Sequence, residues 1–480
     1  MHFNLTHFFF FFSILSFHEI KAQLPFNQLY GTYMTETGSA VWVKPDSSVY
    51  AFGTSSAQPG MSSQYYLVHL DSAGGYEWSK FYGSTGVDQG IDLYYEEDSA
   101  YIYMLGNSFI NDDKGYDIKL IKADSLGNII YEKNYGTSSW DFAAQMIRMN
   151  DGRFAICGYT FGGSFGLADA FVLMLNNNGD SLAFQVWGDA NDNYFYDLVE
   201  RSSDTLVLVG PWETSTGLNQ GAIAEYKISS GSFAVDFYFS AYNQTFNAIA
   251  LNPQGNYFIG STNDSTAGPE LNGMTAVFNK NNHKKMIEMV FAGADDDYSK
   301  DVLYHDNAYR ILTFTYSFGL GNGDGAYYEF DNGGYYVLSR SFGDIHHNEL
   351  ESMSLNLNNS LIFVGTSEYS FGANDLWVVN VDNAYNVTGT IGEQLDPNKV
   401  DELTSTNNLI QVYPNPSRDR LNLTGSVTIN EVRLIDTKGT VVISHLNENS
   451  LDISSLNEGI YLMMVETEEG VFNYRIVKTN

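Results

Sequence analysis

Residues 81–133 read FYGSTGVDQGIDLYYEEDSAYIYMLGNSFINDDKGYDIKLIKADSLGNIIYEK. The stretch opens on an aromatic-plus-glycine mark, Tyr82-Gly83, and then alternates through residues 91–95. A tight turn leads to 101–106, a longer loop to 117–124, and a Ser-Leu-Gly-Asn turn to 129–133. Period-two alternation bounded by Gly, Asp and Asn predicts four short strands. At Tyr135-Gly136 the pattern begins again.

The mark recurs at Tyr30-Gly31, Tyr82-Gly83, Tyr135-Gly136, Trp187-Gly188, Phe239-Ser240, Phe291-Ala292 and Phe342-Gly343, 51 to 53 residues apart. A second mark closes the second strand of each unit at Gly53, Gly106, Gly158, Gly210, Gly260 and Gly365, with Thr313 in the sixth. Four strands in a period of about 50 residues is the size of one blade of a β-propeller. A lone four-stranded sheet cannot bury both faces, whereas seven arranged radially bury each other's. The period is too long for a β-helix, and the 3.6-residue pattern of a helical solenoid is missing. The chain is therefore expected to be all-β, with a seven-bladed β-propeller over residues 23–391. An eighth copy of the fourth strand, at 26–30, is expected to pair with 375–382 and close the ring.

Tight turns fall on one face of such a ring. The opposite face collects the longer loops, at 54–64, 107–116, 159–168, 211–220, 261–272, 314–324 and 366–374, and a ligand is expected there. The Asp or Asn six residues beyond the aromatic (Asp88, Asp141, Asn193, Asp297, Asn348) is expected to cap the turn into the next strand. The repeat resembles the bacterial β-propeller repeats of secreted proteins. That resemblance is one of fold and brings no catalytic residues with it.

The formal net charge is −33, of which residues 409–480 carry −3 and the remainder −30. Nucleic acid and anionic membrane are excluded as partners, because phosphate binding needs a basic stripe. Cys157 is the one cysteine, so no internal disulfide forms. Residues 1–22 hold a short apolar run at 8–17 and a small-residue site at Ala22, and read as an export signal. Residues 392–408, rich in Thr, Ser and Asn around Pro397, read as a linker.

After the linker the period of about 50 is lost. Seven short alternating strands at 410–413, 420–424, 431–436, 441–445, 451–453, 460–466 and 472–478 predict a small Ig-like β-sandwich. The order of Tyr413-Pro414-Asn415-Pro416, Leu434-Ile-Asp-Thr-Lys-Gly, Leu451-Asp-Ile-Ser-Ser-Leu and Gly459-Ile-Tyr461-Leu resembles the type A C-terminal sorting domain of the type IX secretion system of Bacteroidetes. The resemblance covers 409–480. It implies export to the periplasm, passage through the outer membrane with the type IX machinery as partner, and release of the cargo or its attachment to surface lipopolysaccharide.

Chemistry is harder to find. No Gly-x-Ser-x-Gly elbow, His-Glu-x-x-His helix or phosphate loop is present, and Arg153, Arg201 and Arg310 fall at short-turn ends. Asp295, Asp296 and Asp297 form an acidic inter-blade loop that would suit calcium; a solvated turn is the plainer reading. His346-His347 in the next such loop reads as a polar turn. Trp212, Phe161, Phe165, Tyr316, Phe318 and Phe371 are candidates for sugar stacking or protein contact, set against the alternative that they pack loops onto neighbouring blades. A secreted or surface-displayed, monomeric, non-catalytic binding propeller for a glycan or protein ligand is expected. A glycan-processing hydrolase or lyase, and a structural envelope or adhesion component, stay open.

Overall fold

In the computed structural model the described residues are 25–387 except 33, 59, 239–241, 265–270, 292–294, 320–321, 358, 369–373 and 383, and 410–479 except 416, 426–427, 436–440, 447–448 and 468–469. The expected export signal, the linker, Phe371 and Pro416 lie outside them. The chain divides into two units, Met1–Pro397 and Asn398–Asn480.

The first unit holds seven four-stranded antiparallel sheets, and in six of them the strands follow in chain order. Blade two shows the plan: Asp88–Glu96, Tyr101–Asn111, Gly115–Ala123 and Ile129–Tyr135. Burial tracks radial position. The second and third strands are buried along almost their whole length, as in Phe154–Thr160 and Asp169–Leu175, and so read as near-continuous apolar runs. The fourth strands, such as Ser181–Trp187, form the half-exposed rim. The first strands line the axis.

Blade seven is completed from the other end of the unit. Phe26–Tyr30 pairs antiparallel with Asp375–Asn380, from Phe26 opposite Asn380 to Tyr30 opposite Leu376. Trp377 donates its indole N–H to Asn27 Oδ1 at 2.6 Å in the buried seam. Tyr30, Val364 and Leu376 then share one core with Val41 and Tyr66 of blade one, so the ring closes as the repeat count requires.

Both repeated marks have physical causes. The tyrosine at the end of a fourth strand reaches across to the next blade. Tyr82 donates to Gly127 O (2.8 Å), Tyr135 to Gly179 O (2.5 Å) and Tyr30 to Gly74 O (2.6 Å). The glycine closing a second strand sits under a bulge in the first strand. At Gly53, Gly158 and Gly365 an added Cβ would collide with a backbone carbonyl of that strand, and at Gly210 with Tyr194 O just before it. In blade five the register places Ser261, opposite Phe246, where Gly53 stands opposite Gly38. Gly260, the expected mark, is thus one residue out. Ser261 and, in blade six, Thr313 turn their hydroxyls onto Met274 O (3.1 Å) and Ala326 O (3.2 Å).

The caps are also as expected. Asp88 Oδ2 accepts from Ser84 N (2.6 Å), Asp141 Oδ2 from Thr137 N (2.7 Å) and Asn193 Oδ1 from Asp189 N (2.7 Å). All three side chains are buried. Cys157 is buried and unbonded to sulfur, and burial pushes its thiol pKa well up, which makes it inert core.

The second unit is a two-sheet sandwich. Ile410–Tyr413, Arg420–Gly425 and Ser450–Asp452 form one sheet; Val441–Leu446, Ile429–Ile435, Gly459–Thr467 and Gly470–Lys478 form the other. Leu421, Leu423, Val432, Leu434, Leu451, Met463 and Ile476 fill the space between them. The motif residues fix strand ends. Val477 N–H donates to Asn415 Oδ1 (2.9 Å), and Tyr461 donates its hydroxyl to Asn457 O (2.9 Å). Tyr413 and Pro414 are exposed, and Gly459 opens its strand.

Candidate functional site

The expected site residues do not form one patch. Trp212 is 4% exposed and belongs to the strand Thr205–Glu213, which pairs on to Asn219 and so shortens the expected loop to a hairpin tip. Its indole N–H donates to Asp189 Oδ2 (2.9 Å), and the ring packs on Trp187 (4.6 Å) and Phe237 (5.5 Å). It is a core residue, as its large apolar surface favours when neighbouring rings can cover it. Phe165 and Phe318 are exposed on their loops. Phe161 and Tyr316 are each 44% exposed, and each joins a group of rings that the sequence reading did not assemble.

The larger group crosses blades two, three and four on the long-loop face. Phe109 meets Tyr116 (5.4 Å between centroids), and Tyr116 meets Trp140 (5.6 Å) and Phe142 (5.0 Å). Phe142 stacks on Tyr159 (5.1 Å), with Phe161 at its edge (6.5 Å). Tyr159 meets Tyr194 (4.7 Å), which leads to Tyr196 (6.0 Å). None of these rings is fully buried, and Trp140 is 46% exposed. A smaller group on blade six comprises Tyr298, Phe314 and Tyr316, with His347 of the following junction 5.0 Å from Phe314.

Both groups end at the mouth of an axial cavity of about 500 Å³. Every blade contributes to its wall, including Ser39, Asp92, Gln145, Tyr196, Asp197, Asn247, Lys300, Asp301, His347, Glu349, Glu351 and Ser352. Asp92, Asp197 and Asp301 hold the same place in blades two, four and six. Each accepts from the amide of the residue after it, Leu93, Leu198 and Val302, at 2.7 Å. Each also accepts from an amide of the next blade: Met146 (3.0 Å), Ile249 (2.7 Å) and Met353 (2.9 Å). The three carboxyls thus tie blades two to three, four to five, and six to seven at the axis.

These carboxyls face the cavity yet are surrounded by the ring's atoms. Burial pushes Asp92 up to about 7 and Asp301 up to about 6, against the amide bonds, and raises Asp197 well above the carboxylate range; the charge of Asp301 adds to the rise at Asp92 and Asp197. A group with a raised folded pKa holds its proton more tightly folded than unfolded. Stability should therefore fall as pH rises from about 4 to about 7 and then level off, by roughly 2–4 kcal/mol for Asp92. Thermal unfolding across that window should show the fall. Asp92→Asn should flatten it while lowering stability at acid pH, because its single amide oxygen cannot accept from both Leu93 and Met146 N–H; an unchanged slope would count against the assignment.

Lys300 joins blade six to blade seven, with its ammonium 2.5 Å from Glu349 and 3.1 Å from Glu351. Burial works against that ammonium, but Glu351 and Glu349 outweigh it and hold its pKa above the ordinary value. Burial raises Glu351, while the charge of Lys300 overcomes burial at Glu349 and lowers it.

Asp295, Asp296 and Asp297 do not converge on a cation. Asp295 is exposed, Asp296 Oδ1 accepts from Leu271 N (2.7 Å), and the buried Asp297 accepts from Thr315 and Ser317 hydroxyls. Among the described residues no group of three or more His, Cys, Asp and Glu is placed to hold a metal, so the suggested calcium has no ligand set there. Adjacent carboxylates on a turn point apart, each toward a different backbone amide or hydroxyl.

Residues 411–479 match the family described as the secretion system C-terminal sorting domain. No curated protein matches the chain. Among solved structures, a polysaccharide lyase described as an ulvan lyase of family PL25 is similar at 10% identity, covering 75% of this chain and 96% of that one with a TM-score of 0.49. The Dos1 propeller aligns at 12% identity over 75% and 97%, with a TM-score of 0.43. The β-propeller domain of the Trilobed protease from Pyrococcus furiosus aligns at 9% over 79% and 99%, with a TM-score of 0.46. The sorting domain implies export, dealings with the type IX machinery and a cell-surface or secreted location. The chain is a seven-bladed β-propeller joined to a C-terminal sorting domain of the type IX secretion system.

Proposed function

We propose that the exported ring is a non-catalytic glycan-binding module, with its site on the long-loop face. One observation carries the reading: a track of partly exposed rings, each in contact with the next, leads into a cavity walled by hydroxyl, amide and carboxyl groups. Aromatic faces stack on the C–H faces of sugars, and the polar wall orients hydroxyls. A protein ligand would be served by the rings but makes no evident use of the cavity. We read the route as passing through the periplasm, with the ring then released or held on surface lipopolysaccharide.

Titration of the purified chain with a panel of oligosaccharides tests the reading. Trp140→Ala and Phe161→Ala should each weaken binding about tenfold, ~1.4 kcal/mol. Tyr336→Ala, on the exposed rim of blade six, should not. Equal losses from all three, or none from the first two, would remove the track from the site.

A second reading rests on Glu349 and Glu351, whose pKa values are driven apart in the cavity as a general acid and base would require. Both carboxylates are already bonded to Lys300, so neither is free to act on a substrate as the ring stands. Release of reducing ends that disappears in Glu351→Gln would establish this second reading over the first.

A further inference from the structure

The charge of the cavity narrows the ligand class, and this step rests on the glycan-binding reading above. Carboxyl groups of Asp92, Asp197, Asp301, Glu349 and Glu351 face one space of about 500 Å³. The lining ammonium, Lys300, is shared between Glu349 and Glu351, and His347 lies 3.7 Å from Glu349. Neither is available to pair with an anionic ligand without breaking a contact it already has. Lys114 in the loop 107–116 is held 3.5 Å from Asp117, Arg340 stands on the exposed fourth strand of blade six, and among the described residues no arginine lines the cavity. Arg148, Arg153, Arg201 and Arg310 stand at strand ends beside the short turns, paired with Glu96, Asp151, Glu225 and Glu329.

Recognition of a uronate or sulfate needs a cation placed to meet it, most often a forked guanidinium. An anionic sugar entering this cavity would lose its water beside ionised Glu349, and the Lys300 ammonium that could offset its charge is already paired. An uncharged sugar meets the opposite situation. The three aspartates are locked in place by backbone amides, and their buried carboxyl groups, which hold protons more tightly than usual, are fixed hydrogen-bonding partners for sugar hydroxyls. The net charge of −30 on the part of the chain before residue 409 adds a long-range field of the same sign.

We propose that the long-loop face selects uncharged glycans, and that the axial cavity excludes residues bearing uronate or sulfate. The aromatic track supplies stacking for the chain, and the cavity supplies hydrogen-bonding partners for the hydroxyls of one uncharged unit.

The experiment pairs neutral oligosaccharides with oxidised or sulfated counterparts of the same linkage and length, titrated against the whole chain by calorimetry. The neutral member of a pair should bind at least about tenfold more tightly. The gap should narrow as salt is raised, because screening weakens like-charge repulsion. Glu349→Gln, which frees one side of Lys300, should raise affinity for the acidic member relative to the neutral one. Acidic and neutral members binding equally, or the acidic one binding better, would overturn the proposal while leaving glycan binding intact. Binding to neither kind would overturn the glycan-binding reading itself, and this proposal with it.

Discussion

Deletion of residues 409–480 is expected to abolish appearance of the chain at the cell surface and in the medium, with signal falling to background and the chain retained inside the cell. The physical ground is that the two units have separate cores. The sandwich closes on Leu421, Val432, Leu434, Leu451 and Met463, and among the described residues each buried cluster lies within one unit. The truncated chain should therefore fold, and its thermal transition should match the propeller transition of the full chain. Loss of export with unchanged folding separates a sorting defect from misfolding. Normal surface display of the truncated chain would sink the assignment of the tail.

The second large effect is on stability. A chain beginning after Tyr30 lacks the outer strand of blade seven, and with it Phe26, Leu29 and Tyr30, all buried. Burying one such side chain contributes about 1.5–3 kcal/mol, before the strand pairing is counted. The sum approaches the ~5–15 kcal/mol that holds a typical domain folded. It also strands the Trp377 indole N–H, whose acceptor is Asn27. Such a chain should lose its cooperative thermal transition or recover as aggregate. Leu29→Ala, which keeps the strand but opens a void, should fold with a loss of about 2–5 kcal/mol. A truncated chain that melts like the wild type would show that the ring does not depend on this closure.

Much of the architecture was legible because a repeat is read many times over. One tyrosine is ambiguous, but Tyr30, Tyr82 and Tyr135 at a fixed period point to one geometric task, and the structure shows it as a bond to the following blade. Gly260 misled because a mark was followed one residue out of register, and only strand pairing reveals that Ser261 holds the place. The site was less legible, since it is built from what differs at equivalent positions. The residue after each cap is Gln89, Phe142, Tyr194, Tyr298 and Glu349, and the equivalent strand positions of blades one and five hold Thr37 and Thr245. Comparing units down that column would have marked blades three, four and six as aromatic. The residue four beyond each cap would likewise have shown Asp92, Asp197 and Asp301 in alternate blades. Trp212 could not be judged so, because its burial depends on Trp187 and Phe237, brought to it by neighbouring strands. The aspartates at 295–297 failed as a cation site for a similar reason: which way each carboxylate turns is set by amides and hydroxyls distant in sequence.

Hydrogen–deuterium exchange of the whole chain, with and without the neutral oligosaccharide that binds most tightly, tests most directly whether the long-loop face of the ring is the binding face. Slowed exchange is expected in peptides covering residues 107–116, 137–142, 159–168 and 192–197, with no change in the short turns at 71–75, 124–128 and 331–335. Protection confined to the short turns or the outer strands, with the aromatic track unchanged, would contradict it.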